Sequence, residues 1–238
     1  MYKNEISKID DFLKESKLIL EDLKLITKKC NSINYQIDSL NRTNEILKSI
    51  KKITTNESSL KSFEYPIGIL LRSGLSDFIH NQYYFNKCLV KNLFDKDKYE
   101  LEISEYLCGH FNRIDPALNG MEEYKEQIGI ELLRLKANKN YKEISIIKNG
   151  KQTAKDKKLN FLEVAIENWE WYSKYEHYGF FTNKMLVKFE ENQIRMNTSI
   201  NLLFVNFYYC ILTLCNIDSD LFDLEKAEEI NKIILNSK

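Results

Sequence analysis

Residues 196–217, MNTSINLLFVNFYYCILTLCNI, are twenty-two consecutive residues without a charged side chain. The length of this stretch reaches what a membrane-spanning helix needs, yet four asparagines and the Tyr208-Tyr209 pair interrupt it. A helix that is buried on all sides inside a soluble bundle has this same composition. We therefore expect the central helix of a soluble bundle here, and no contact with a membrane.

The rest of the chain also has a helical pattern. Its 238 residues are 43% hydrophobic and include only seven glycines and two prolines. Apolar residues recur every three or four positions along most of this length. The sequence therefore predicts an all-α, multi-helix bundle.

The N-terminal apolar stripe runs from Ile6 to Ile50 and slips register near Cys30. This pattern predicts one long helix, or a helical hairpin broken around Asn31-Ser32. The stripe could form a coiled coil or pack on an ordinary bundle. We expect residues 1–58 to pack on a bundle formed by residues 59–238, as one compact unit.

The middle of the chain has weaker boundaries. Pro66 suits the first turn of a helix that we expect to run to about Phe94. Further helices are predicted over residues 99–107 and 121–136, with a glycine- and proline-containing loop between them. Residues 137–158 are the least helical part, and Asn149-Gly150 predicts a short hairpin or a loop.

Charge and cysteine content narrow the class of protein. Thirty-five basic residues balance thirty-five acidic ones, so only a local patch could attract nucleic acid. Five cysteines show no Cys-x-x-Cys pair, and their odd number favours a reducing cytoplasm. The first residues lack an apolar signal core, so we expect a cytoplasmic protein.

The first candidate site lies on the Pro66 helix. Ser73, Asp77, His80 and Tyr84 share the face opposite its apolar stripe, with Arg72 at the flank. A histidine that takes the ribose 2′-hydroxyl proton and a cation that steadies the phosphate can together cleave RNA without metal. The alternative for Asp77 and His80 is a solvated pair of neighbours three residues apart.

The second candidate site lies on a helix predicted from Leu159 to Tyr178. His177 falls in its last turn, where a histidine also interacts well with the helix dipole. Tyr172 and Tyr175, with Ser173 and Lys174 between them, form an aromatic and polar surface that could bind a base or a partner. Core packing explains such aromatic residues equally well.

Two alternatives concern charged residues. Lys148 and Lys151 begin the most basic stretch of the chain and could touch phosphates, although a solvated loop has the same composition. Asp77 and His80 could also join His177 and a nearby glutamate, Glu170 or Glu176, as metal ligands. The sequence contains no Glu-x-x-His motif and only three histidines, so we expect neither a metal nor another cofactor.

The run from Leu70 to Asp77, followed a hundred residues later by Tyr172-Ser-Lys-Tyr-Glu-His177, resembles the HEPN superfamily of helical bundles, particularly uncharacterised bacterial members. The resemblance covers residues 60–217. It implies a four- or five-helix bundle that is often dimeric, whose active members are metal-independent RNases of defence or toxin systems.

The family motif is an Arg, a polar residue, and a His five to seven positions after the Arg. Here His80 stands eight positions after Arg72, and Lys174 rather than an Arg precedes His177. The resemblance thus implies a homodimer that is either an RNase or a catalytically silent module binding RNA or a protein partner. For the RNase, its implied catalytic residues are Arg72, Asp77, His80 and His177.

Overall fold

A computed structural model of the protein describes residues 2–24, 26, 30–55, 64–114, 146–177, 189–221 and 224–235. Helices account for 91% of these residues, which confirms the all-α prediction. The eight α-helices among them are α1 (Tyr2–Leu23), α2 (Asn31–Thr55), α3 (Glu64–Lys87), α4 (Lys96–Ile114), α5 (Ile146–Lys157), α6 (Asn160–His177), α7 (Phe189–Ile217) and α8 (Leu224–Leu235). A two-stranded hairpin, β1 (Leu89–Val90) and β2 (Leu93–Phe94), joins α3 to α4, and a 3₁₀ turn over Ser219–Leu221 lies between α7 and α8.

Helix α7 contains the uncharged stretch and packs against α2, α3, α6 and α8. Among the described residues it is the one helix long and apolar enough to cross a membrane, and 56% of its most apolar window is buried within the protein. Within residues 196–217, every side chain is buried or half-buried except that of Asn216, which is exposed. The helix therefore packs within the bundle, and its buried side chains are Met196, Ser199, Ile200, Leu202, Leu203, Phe204, Asn206, Phe207, Cys210, Ile211, Thr213 and Leu214.

The asparagine in the middle of α7 has a packing role. Asn206 is fully buried and accepts a hydrogen bond from Asn81 Nδ2 at 2.9 Å. Its own amide donates to Thr43 Oγ1 at 3.1 Å, while Asn81 also donates to Ser39 Oγ at 2.8 Å. These bonds join α2, α3 and α7, because a buried amide must find partners inside the protein.

The N-terminal stripe forms a helical hairpin. Helix α2 begins at Asn31, where the Glu100 carboxylate of α4 accepts hydrogen bonds from the backbone N–H groups of Asn31 and Ser32 at 3.0 and 2.9 Å. Phe12 of α1 stacks on Phe204 of α7 with ring centroids 4.5 Å apart. The hairpin therefore shares the core of the bundle and packs on it, instead of forming a separate coiled coil.

Two predicted boundaries of the middle region are wrong. Helix α3 ends at Lys87, well before Phe94, because Lys91 and Asn92 adopt positive φ angles of 50° and 66° and turn the chain back as a tight hairpin. Helix α4 continues through the glycine-containing segment to Ile114. The predicted helix over residues 121–136 lies outside the described residues.

The prediction of a hairpin or loop up to residue 158 is also wrong where the structure describes it. Residues 146–157 form helix α5, which packs on α3 and α6. Gly150 lies against this core, where an added Cβ would stand 3.1 Å from Ile79 and 3.3 Å from Ile166. The glycine thus permits close helix packing here instead of making a turn.

Candidate functional site

Arg72 forms a polar contact between α3 and α6, the two helices that carry the candidate sites. Its Nε donates to the Ser173 hydroxyl at 3.3 Å. Its guanidinium carbon lies 5.0 Å from the centre of the Trp169 ring, within cation–π range. All three side chains are half-buried, and we call this arrangement of α3 and α6 the Arg72 groove.

The two tyrosines of α6 lie beneath this groove. Tyr172 and Tyr175 are at most 1% exposed. The Tyr175 hydroxyl donates to Glu64 Oε1 at 3.1 Å, and the Tyr172 hydroxyl lies 3.4 Å from Ser199 Oγ. Burial raises the pKa of both phenols well above its ordinary value. They therefore support the groove from the core, where an incoming base does not reach them.

A second cation–aromatic contact lies on the α7 side of α6. Lys174 Nζ and the Arg195 guanidinium each lie 4.8 Å from the centre of the Trp171 ring. Arg195 also donates to Asn168 Oδ1 at 3.2 Å. Lys174 and Arg195 thus share one aromatic partner, the Trp171 ring.

Asp77 is not part of the Arg72 groove. Its carboxylate forms an ion pair with Arg42 of α2, with 2.9 Å between Oδ2 and Nε. The Asp77 side chain is 18% exposed and that of Arg42 is 52% exposed. Burial raises the pKa of the Asp77 carboxyl, an effect that the charge and hydrogen bond of Arg42 oppose without reversing.

His80 is also separate from the groove, and it is 6% exposed. Its Nδ1 lies 2.7 Å from the Ser76 carbonyl oxygen, which can only accept, so Nδ1 carries a proton. Its ring centre lies 5.2 Å from that of Tyr106, which in turn lies 5.4 Å from Tyr84. The expected solvated pair of Asp77 and His80, on an outer face with Tyr84, is therefore wrong. We call these three aromatic side chains the His80 cluster.

The four proposed catalytic residues do not converge. Helices α3 and α6 are antiparallel, since Glu64 meets Tyr175 and Phe78 meets Phe161, with ring centroids 6.0 Å apart. His177, the last residue of α6, therefore lies at the Glu64 end of the pair. His80 is sixteen residues further along α3 than Glu64, about 24 Å at 1.5 Å per residue.

His177 nevertheless shares a row with the groove. It follows Ser173 by four residues, and residues four apart lie one above the other on a helix. Its side chain lies outside the described part of the structure. By backbone position, His177 thus lies one helical turn from Ser173, whose hydroxyl accepts the hydrogen bond of Arg72.

The proposed phosphate-binding lysines lie on helix α5. Lys148 is exposed, and Lys151 Nζ pairs with Glu170 of α6 at 2.5 Å, with 55% of the Lys151 side chain exposed. Glu170 directly follows Trp169. The solvated loop expected around these lysines is a helix instead, and Lys151 contacts the α6 residue that follows Trp169 of the Arg72 groove.

The alternative metal site does not form among the described residues. Asp77 is bound to Arg42, and Glu170 is bound to Lys151. No group of three or more His, Cys, Asp or Glu side chains that could hold a metal ion occurs within the described ranges. The antiparallel packing also separates Asp77 and His80 from His177.

Sequence reasoning missed Arg42, Tyr106 and Arg195. Arg42 precedes Asp77 by 35 residues, and Arg195 follows Trp171 by 24. No periodicity within one helix marks such contacts, because they arise only where different helices pack. Comparison of the chain with protein-family models, with curated proteins and with solved structures gave no match.

Proposed function

We propose that this protein is a HEPN-like helical module that binds single-stranded RNA through the Arg72 groove. The observation that carries the proposal is the contact of Arg72 with both Trp169 and Ser173, about a hundred residues away. A guanidinium suits phosphate, an indole ring suits stacking of a base, and a hydroxyl suits the ribose. All three groups are partly open to solvent.

The geometry favours binding over a catalytic centre that uses His80. Catalysis by a general base requires the base within hydrogen-bond reach of the proton that it removes. His80 lies about 12 Å beyond Arg72 along α3, at 1.5 Å per residue, and contacts Tyr106 of α4. Arg72 contacts Ser173 and Trp169 of α6 instead, which supports a role for Arg72 separate from that of His80.

The second candidate is the metal-independent RNase, and the position of His177 favours it. His177 stands one turn beyond Ser173 on the same row of α6. In this hypothesis Arg72 binds the phosphate while His177 takes the proton of the ribose 2′-hydroxyl. The defence or toxin role that the family resemblance implies belongs to this candidate.

Self-association and location stay predictions. The resemblance favours a homodimer. Ile9, Phe12 and Leu23 of the N-terminal stripe are buried in the protein's own core. The four cysteines that the structure describes are free thiols, which suits the reducing cytoplasm that we expect.

Fluorescence anisotropy with a short single-stranded RNA in EDTA tests the main proposal. We expect Arg72→Ala to weaken binding about tenfold or more, a loss of about 1.4 kcal/mol, because it removes a stacked and hydrogen-bonded cation. Arg72→Lys should recover only part of the affinity, since an ammonium lacks the planar fork. Lys48→Ala, an exposed lysine of α2, is the control and should bind as the parent does.

The same samples separate the two candidates. An RNase should release products with 2′,3′-cyclic phosphate ends in EDTA, and His177→Ala should abolish cleavage while binding persists. Binding without cleavage supports the silent module. RNA binding that is indifferent to Arg72→Ala contradicts the groove, and cleavage that needs an added metal contradicts both candidates.

A further inference from the structure

Helix α5 presents a regular row of cations. Lys148, Lys151 and Lys155 are spaced by three and four residues, so they lie on one face of the helix. Lys158 directly follows the last residue of the helix and has a positive φ of 54°. All four are exposed. From Lys148 to the end of the helix at Lys157, the row extends over about 14 Å, from nine residues at 1.5 Å each. We call these residues the lysine row.

The charge of the lysine row is only partly neutralised. Lys151 pairs with Glu170. Within the part of the chain that the structure describes, no carboxylate lies within ion-pair distance of the other three lysines. Asp156, the one acidic residue of α5, accepts a hydrogen bond from Gln152 at 2.6 Å. On a chain with no net charge, this row is a local positive surface.

A neighbouring face of α5 is fixed to the bundle. Gly150 lies against Ile79 and Ile166, and Ala154 is fully buried. At the far end, Lys157 Nζ donates to the Asn86 carbonyl oxygen at 2.7 Å, at the end of α3. The backbone that carries the lysine row is therefore held in place before any partner arrives.

The composition of this face favours a phosphate backbone over a lipid bilayer. A helix that lies on a membrane needs an apolar face to insert between the headgroups. From residue 148 to residue 158 every exposed side chain is polar or charged, and the small apolar residues are buried in the protein. Four ammonium groups in a row fit a flexible chain of phosphates without reading its sequence.

We propose that the lysine row binds the phosphate backbone of single-stranded RNA and leads the strand into the Arg72 groove. This inference rests on the proposed RNA-binding function and extends it. The link between the two surfaces is Glu170, which accepts from Lys151 and directly precedes the α6 turn containing Ser173. The row supplies sequence-independent attraction, while the groove holds a base and its phosphate.

The salt dependence of RNA binding tests the row. The variant Lys148→Gln/Lys151→Gln/Lys155→Gln/Lys158→Gln should flatten the slope of log Kd against log salt by about 0.7 for each lost phosphate contact, or about 2 to 3 in total. The control replaces Lys14, Lys17, Lys48 and Lys232 by Gln, which removes the same net charge from lysines paired with glutamates on α1, α2 and α8. It should leave the slope unchanged. Circular dichroism checks that each variant stays folded.

The outcomes distinguish the two proposals. An unchanged slope in the row variant, with binding still sensitive to Arg72→Ala, overturns the lysine row and leaves the groove. A flattened slope with binding indifferent to Arg72→Ala supports the row and overturns the groove. Row-dependent binding to phosphatidylserine vesicles, with no row effect on RNA, overturns the RNA assignment in favour of lipid.

Discussion

The Arg72 groove and the His80 cluster lie on the same helix, but they differ in what surrounds them. In the groove, a cation, an indole and a hydroxyl are half-buried at the junction of α3 and α6. In the cluster, the imidazole is 6% exposed and packs against the ring of Tyr106, which in turn packs against Tyr84. Burial thus separates polar groups that can meet a ligand from polar groups that hold the fold together.

This difference also shows that charge-bearing residues close in sequence can serve different interfaces. Arg72 and His80 are separated by eight residues, which on an α-helix is a rotation of about 80°. That rotation directs Arg72 to α6 and His80 to α4. The predicted site on α3 therefore combined Arg72, which contacts α6, with His80, which contacts α4.

His80→Ala should give the largest stability loss. It removes a buried ring from an aromatic cluster and leaves a cavity, so we expect a loss of about 2 to 4 kcal/mol in the free energy of unfolding, measured with urea. RNA affinity measured where the variant is folded should not change. Arg72→Ala should instead weaken RNA binding, and it should change the free energy of unfolding by less than about 1 kcal/mol. A His80→Ala variant of parental stability that has lost an RNase activity would assign His80 to the chemistry instead.

The close approach of α3 and α6 gives the next effect. An added Cβ at Gly68 would stand 2.4 Å from Cε2 of the buried Tyr175 ring, whereas at Gly74 it would meet a terminal methyl of Leu203 at 2.5 Å. The ring cannot move aside as the methyl can, so we expect Gly68→Ala to cost about 1 to 3 kcal/mol and to weaken RNA binding.

Gly74→Ala is the matched control on the same helix. It should lie close to the parent, because leucine rotation relieves the contact and alanine favours the helix by about 1 kcal/mol. Equal losses of stability in the two variants would show that the α3–α6 contact is not specially tight.

The ion pair between Arg42 and Asp77 gives a smaller, pH-dependent effect on stability. Asp77 lies between Arg72 and His80 in the sequence of α3. Burial raises the folded-state pKa of Asp77, so its contribution to stability is complete below the unfolded pKa and is lost as pH rises through the folded pKa. Removing Arg42 removes the charge that opposes this shift. Arg42→Ala should therefore cost about 1 kcal/mol at pH 7 and less at pH 4, since the arginine is half exposed.

Urea unfolding of Arg42→Ala at the two pH values measures this effect. The double variant Arg42→Ala/Asp77→Asn should lose the extra pH dependence, because it has no carboxyl left to titrate. A cost that is equal at pH 4 and pH 7 would contradict the assignment to Asp77.

The fold class and the buried faces of several helices are predicted by the sequence. The period of three to four residues and the scarcity of glycine and proline dictate helices whatever their neighbours are. The stripe residues Ile9, Ile33 and Leu47 are buried as that period predicts. The break near Asn31 and the burial of the uncharged stretch follow from the same local pattern.

The contacts of each polar side chain depend on how the helices pack. The Asn149-Gly150 pair predicts a turn, but Gly150 lies in a helix, where it packs closely against Ile79 and Ile166. Trp169, a partner of Arg72, lies 97 residues away, and Arg42, the partner of Asp77, lies 35 residues away. No local pattern specifies how the helices that carry these partners are oriented against α3. Periodicity tells which face of a helix is apolar, but the partner of a polar side chain depends on how two helices pack, and that is a property of the whole core.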